Sequence, residues 1–160
     1  MMDGQTGKLI EQMDRSLELV LDRFSSLESQ IDVIIYSEDG APWTIKDILA
    51  HLLVVETSFL SLFKEIALGG EGSPQDFDVN AFNYENWLTH RSADFASLLR
   101  EFKDARKEMK EFVATLTDKD LAKIGRHPFL GVTDLGQMIK LLSVHAQTHL
   151  RDIQKKIASY

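Results

Sequence analysis

The chain has 160 residues, 44 % hydrophobic and 27 % charged, with 25 acidic against 18 basic side chains and a net charge of −7. That is enough chain for one domain with a real core, and the acidic balance without a concentrated Lys/Arg cluster argues against a nucleic-acid backbone as partner. The absence of cysteine excludes disulfides, thiolate ligands and cysteine nucleophiles, and no apolar run approaches the ~18–20 residues of a membrane span.

Residues 1–12 are polar and lack the apolar stretch of a secretory signal, so a cytoplasmic location is expected. A first helix is expected from about Lys8 to Tyr36, where Ile10, Met13, Leu17, Val20, Phe24, Leu27, Ile31 and Ile34 keep helical spacing. Gly40 and Pro42 punctuate it. Thr44 and Asp47 have the spacing of a capping box, with Trp43 as the hydrophobic staple before it. The second helix should then run to about Leu68 and stop at Gly69 and Gly70. A loop rich in Gly, Ser, Pro and Asp follows, to about Val79. A third helix starts near Ala81–Asn83 and carries the stripe Phe95, Leu98, Phe102, Ala105, Met109, Phe112, Leu116. Its Lys103, Arg106, Lys107 and Lys110 interleave with acids and read as a solvated face. Thr117 with Asp120 caps a short turn. The segment Gly125 to Gly131 contains Pro128 and cannot be regular helix. Thr133 is expected to cap a fourth helix that continues to about Ala158. No strand pattern stands out. The fold class is therefore all-α: a four-helix bundle with a long connection between helices 2 and 3, in one domain spanning 1–160.

The last helix carries the stripe Leu135, Met138, Leu142, His145, His149, Ile153, so two imidazoles occupy places that the pattern reserves for Leu or Ile. Residues four apart lie one turn above each other on the same face, so His145 and His149 could bind one ion. The competing reading is two core histidines satisfied by backbone or side-chain acceptors. Burial of two imidazoles in successive turns demands partners for four nitrogens, and a metal satisfies one on each ring. His51, two turns into helix 2 at the edge of its apolar face, is the natural third ligand. His90 reads as surface. His127, extended before Pro128, reads as shaping its loop rather than lining a pocket mouth. Trp87 is either core or pocket wall. Glu56, five residues past His51, points away from it and reads as a structural partner rather than a base.

Three segments together carry a family resemblance: Trp43-Thr44-Ile45-Lys46-Asp47-Ile48-Leu49-Ala50-His51-Leu52, His127-Pro128-Phe129-Leu130-Gly131, and His145-Ala146-Gln147-Thr148-His149. In order and spacing the chain resembles the DinB-like superfamily of small bacterial four-helix-bundle proteins over nearly its whole length. The resemblance implies a metal triad at His51, His145 and His149, and an unusual helix order with a long connection between helices 2 and 3. Characterised relatives include transferases and isomerases that use mycothiol, bacillithiol or glutathione, and a branch that opens a strained ring in a genotoxic metabolite. The expected function is thus a metal-dependent thiol S-transferase or related hydrolase acting on a small-molecule substrate. Its divalent metal would be zinc or nickel, and a low-molecular-weight thiol is a candidate cofactor. No general base is assigned. The alternatives are a non-enzymatic metal- or ligand-binding protein of a stress response, and a bundle whose histidines are relics. No nucleic-acid or membrane partner is expected, and the acidic surface permits a homodimer without requiring one.

Overall fold

The computed structural model describes residues 4–160, so residues 1–3 of the polar leading stretch lie outside it. In chain order it contains α1 (Gln5–Ser26), a short 3₁₀ turn (Glu28–Gln30), β1 (Ile34–Glu38), β2 (Ala41–Thr44), α2 (Ile45–Ala67) and α3 (Val79–His90). Then come α4 (Phe95–Ala114), α5 (Asp118–Leu121), β3 (Ile124–His127), β4 (Gly131–Asp134) and α6 (Leu135–Ile157). The four long helices α1, α2, α4 and α6 form the bundle. Among the described residues no helix is long and apolar enough to cross a membrane.

Packing defines the helix order. α1 packs against α4 and α6, and α2 packs against the same two. α1 and α2 are therefore diagonal partners rather than neighbours. The core has two halves. One contains Val20, Phe24, Ile48, Leu52, Phe102, Ala146 and Leu150. The other contains Met13, Phe63, Ile66, Met109, Met138 and Leu142. α2 and α4 begin in the first half, whereas α1 and α6 begin in the second. So α2 and α4 run parallel, and α6 runs antiparallel to α2. A parallel neighbour cannot be reached by a tight turn. α2 is about 35 Å long at 1.5 Å per residue, and residues 68–94, which include α3, carry the chain back. The long connection expected after the second helix was a loop to about Val79; the connection between bundle helices extends to Asp94 and includes α3.

A polar layer separates the two halves, with Ser16, Glu56, Arg106 and Ser143 supplying one buried side chain from each bundle helix. Arg106 donates from Nε to Glu56 Oε1 at 2.5 Å, from Nη2 to Oε2 at 3.1 Å, and from Nη1 to the Met13 carbonyl at 3.1 Å. Arg106 was expected on a solvated face, and it is 1 % exposed. It follows Ala105 on the buried stripe, and Glu56 supplies the charge that lets it turn inward. Glu56 is the structural partner that its position suggested.

The expected elements need four corrections. Helix 1 ends at Ser26, not near Tyr36. Ile31 and Ile34 keep helical spacing, but Val33, Ile34, Ile35 and Tyr36 are strand formers. They are followed by Asp39 and Gly40, at φ 49° and 78°. Glu38 pairs with Ala41 across that two-residue loop, the arrangement of a type I′ hairpin turn. The Gly125–Gly131 segment likewise belongs to a hairpin, in which His127 pairs with Gly131. The expected third helix is two helices: Asp94 starts α4, accepting from Ser97 N at 2.9 Å. At α6 the cap is Asp134 rather than Thr133, accepting from Gln137 N at 2.8 Å. The capping boxes at Thr44–Asp47 and Thr117–Asp120 form as expected.

The connection after α2 is stitched to the second hairpin. Ser73 N donates to Arg126 O and Arg126 N to Glu71 O, each at 2.8 Å. Gly72 sits between them at φ 90°, and a Cβ there would lie 2.4 Å from Arg126 O and 2.7 Å from Arg126 N. Gly72→Ala therefore meets strain and loses hydrogen bonds together. It should destabilise by about 2–4 kcal/mol and expose residues 68–78 to limited proteolysis. An unchanged melting temperature and cleavage pattern would show that the stitch is dispensable.

Candidate metal centre and its pocket

His51 lies in the second turn of α2, and His145 and His149 lie one turn apart on the face of α6 that meets α2. The structure brings all three together. Nε2 of His145 is 3.2 Å from Nε2 of His51 and 3.0 Å from Nε2 of His149. One ring nitrogen from each residue lies within 4.8 Å of the others. The rings cross at 71°, 73° and 87°, so none stacks on another. Tetrahedral ligands 2.0–2.1 Å from one zinc ion stand about 3.3 Å apart. The nitrogen spacing fits that geometry, and the arrangement could hold a metal.

Electrostatics keep these rings neutral. Burial drives His51 well below the ordinary histidine range, and the neighbouring His145 and His149 add to the shift. His145 is pushed down to about 3, first by burial and then by His149 and His127. Burial also lowers His149, against an opposing pull from Asp152. A neutral imidazole keeps the lone pair that a metal needs. With no cation among them, the three nitrogens cannot all find hydrogen-bond partners in one another. Trp43 presses edge-on to His51, with centroids 5.6 Å apart at 84°, and stacks on Tyr36 at 5.8 Å. Beyond any staple role, it fixes the orientation of one ring of the cluster.

The cluster opens into a pocket of about 580 Å³ bounded by α2, α6, the 68–78 connection, α3 and the β3–β4 hairpin. Phe59, Phe77, Phe82 and Phe129 supply much of its wall. Tyr36 lines it too. Burial, reinforced by Glu38, Asp152 and Asp47, raises its phenol well above the ordinary tyrosine range, so it stays protonated at neutral pH. Sequence reasoning did not single out Tyr36. Recognising the hairpin would have placed it directly across from Trp43.

The other histidines part company. His90 was expected at the surface but is half-buried, with Nδ1 2.9 Å from the Asn86 carbonyl. Trp87 is core: it is buried, donates to Pro42 O at 3.2 Å, and carries the Arg91 guanidinium over its ring. His127 shapes its loop as expected, accepting at Nδ1 from Phe129 N at 3.0 Å and Leu130 N at 3.1 Å. It also lines the pocket, edge-on to Phe59. With Nδ1 accepting, the ring hydrogen sits on Nε2, which has no partner among the described residues. Burial holds His127 down at about 4. His127→Ala removes two hydrogen bonds and leaves a void, and should cost about 2–4 kcal/mol. His127→Asn can place an acceptor where Nδ1 stood and should recover a good part of that loss. Equal melting temperatures for the two variants would show that the acceptor does not hold the turn.

The DinB superfamily model matches residues 9–153. No curated protein matches the chain. Solved structures share the fold. YfiT from Bacillus subtilis, described as a probable metal-dependent hydrolase with an unusual four-helix bundle topology, is 21 % identical with a TM-score of 0.71, covering 97 % of this chain and 87 % of its own. An uncharacterised protein from Escherichia coli UTI89 is 14 % identical with a TM-score of 0.74, covering 96 % and 93 %. The colibactin self-resistance protein ClbS, in complex with double-stranded DNA, is 15 % identical with a TM-score of 0.71, covering 94 % and 95 %. The ClbS complex corrects the expectation of no nucleic-acid partner. A net charge of −7 sums over the whole surface, whereas contact with a backbone depends on local charge, and this fold is compatible with bound DNA. The expected small-molecule substrate is not shown by any of these relatives.

Proposed function

The chain belongs to the DinB superfamily, and from that premise we propose a metal-dependent enzyme in which His51, His145 and His149 hold a divalent ion, zinc or nickel. We infer that it is a thiol S-transferase or related hydrolase. The observation that carries this reading is the meeting of three neutral imidazole nitrogens at the floor of an open pocket. A zinc ion held by His51, His145 and His149 would supply a Lewis acid that lowers the pKa of water to about 7 and favours the thiolate form of a thiol. The remaining work belongs to the protein. The imidazoles fix the position, Trp43 holds His51 in place, and the phenylalanine walls give the site an apolar surround. Tyr36, held protonated, can donate a hydrogen bond from the wall.

Thiol transfer joins sulfur to an electrophilic carbon while that carbon's bond to its leaving group breaks, and the thiol proton passes to the leaving group or to solvent. The chain has no cysteine, so the sulfur must come from a separate low-molecular-weight thiol. The reading places the protein in the cytoplasm. Metal analysis of untagged protein purified without chelator should find near-stoichiometric metal. Substoichiometric loaded protein should then consume excess electrophile in the presence of thiol. Metal binding without turnover on any electrophile or ester would leave the binding alternative, in a stress response, and remove the enzyme. Absence of metal would remove both.

A further inference from the structure

We propose that the pocket above the histidine cluster takes a ligand whose body is aromatic or otherwise apolar and carries either no charge or a positive one, and that it rejects anionic bodies. The pocket, about 580 Å³, lies in the range that encloses a drug-sized group. Phe59 from α2, Phe77 from the connection, Phe82 from α3 and Phe129 from the hairpin bring aromatic rings to it from four parts of the chain. Aromatic faces attract cations as well as apolar groups.

The charged groups point the same way. No lysine or arginine is among the described residues that line the pocket, whose only acidic lining residues are Glu38 and Glu65. Glu38, Asp152 and Asp47 act together on Tyr36, so the mouth on that side lies in a negative field. The net charge of −7 extends it. A carboxylate or sulfonate entering would give up hydration and find no cationic partner on the walls. The one place suited to an anion is the cluster itself, and only with metal bound; that clause rests on the proposed function, whereas the preference of the walls does not. A thiol with several carboxylates is then a poor match, and a thiol with a neutral body a good one.

The test uses the metal-free protein, so that no ion can capture the anionic probe. Calorimetric titration with three naphthalenes, bearing a trimethylammoniomethyl, a hydroxymethyl or a sulfonate group, should show the first two binding at least about 10-fold more tightly than the third, the equivalent of about 1.4 kcal/mol. Replacing the exposed Glu38 and Glu65 together by lysine should shrink or invert that ratio. Phe129, 77 % exposed, can be cut to alanine without disturbing the core, and Phe129→Ala should weaken the cationic and neutral probes. Sulfonate binding as tight as the neutral probe, a ratio indifferent to charge reversal, or no binding by any member would overturn the proposal. If the series orders as expected but the protein takes up no metal, the metal-dependent function fails and the wall preference stands.

Discussion

Replacing Glu56 by alanine is expected to cost about 3–5 kcal/mol, because it leaves the Arg106 guanidinium charged and unpaired inside the bundle. Arg106 is 1 % exposed, and two of its nitrogens donate to Glu56. Only the bond to the Met13 carbonyl would remain. Domains of this size have about 5–15 kcal/mol of stability, so the variant would be near its threshold. The surface pair Lys107–Glu111 is the control. Its partners are 4.0 Å apart and 75 % and 66 % exposed, and Lys107→Ala should change stability by less than about 0.5 kcal/mol. Glu56→Met combined with Arg106→Met should recover most of the loss, since it removes the desolvation penalty together with the pair. Urea unfolding measures all three. Should Glu56→Ala fail to fold, Glu56→Gln keeps an acceptor for the guanidinium and supplies the smaller, measurable loss. A loss below about 1 kcal/mol for Glu56→Ala would mean that water reaches the polar layer.

The histidine cluster was legible because it violates a pattern. A core stripe that substitutes imidazole for leucine in successive turns has few physical explanations, and His51 at the edge of the apolar face of helix 2 supplied the third ring, which the resemblance then matched. The capping boxes were legible because the backbone needs those side chains at that spacing. What escaped notice were features whose signals compete. Ile31 and Ile34 continue the first helix's period, so in the sequence Asp39-Gly40 reads as a helix stop, whereas in the fold it closes a hairpin. Asp94 caps α4 after Thr89-His90-Arg91-Ser92-Ala93, but the regular stripe that begins at Phe95 masks the break before it. Arg106 looks like its exposed neighbours, and only its pairing with Glu56, fifty positions away, turns it inward. The pocket depends on such distant meetings. Its walls come from α2, the 68–78 connection, α3 and the second hairpin, and no local period encodes their juxtaposition.

Loss of any one triad histidine should remove the response to metal while leaving the bundle folded. His51→Ala, His145→Ala and His149→Ala each delete a direct ligand, so the loss in affinity should exceed the 10–100-fold that follows from disturbing an outer-shell partner. All three side chains are only half-buried, and both halves of the core are built from other residues. Zinc or nickel should raise the melting temperature of the wild type by linkage and leave the variants where they were. Acid supplies a second reading of the same site. In the metal-free protein His127 and His145 are held at about 4 and about 3, with His51 and His149 also lowered, chiefly by burial. The unfolded chain titrates these groups near 6.5, so between those values it binds more protons than the folded one. Stability is therefore fully present above about pH 6.5 and falls as the pH drops toward the folded values, by up to about 1.4 kcal/mol per pH unit for each histidine. Bound metal excludes those protons, so its stabilising increment should be large at pH 7.5 and shrink as protons compete below about 6.5. Thermal melts across pH 5–8, with and without metal, give both curves. An increment that does not shrink with acid, or that survives in all three alanine variants, would show that the ion binds somewhere other than His51, His145 and His149.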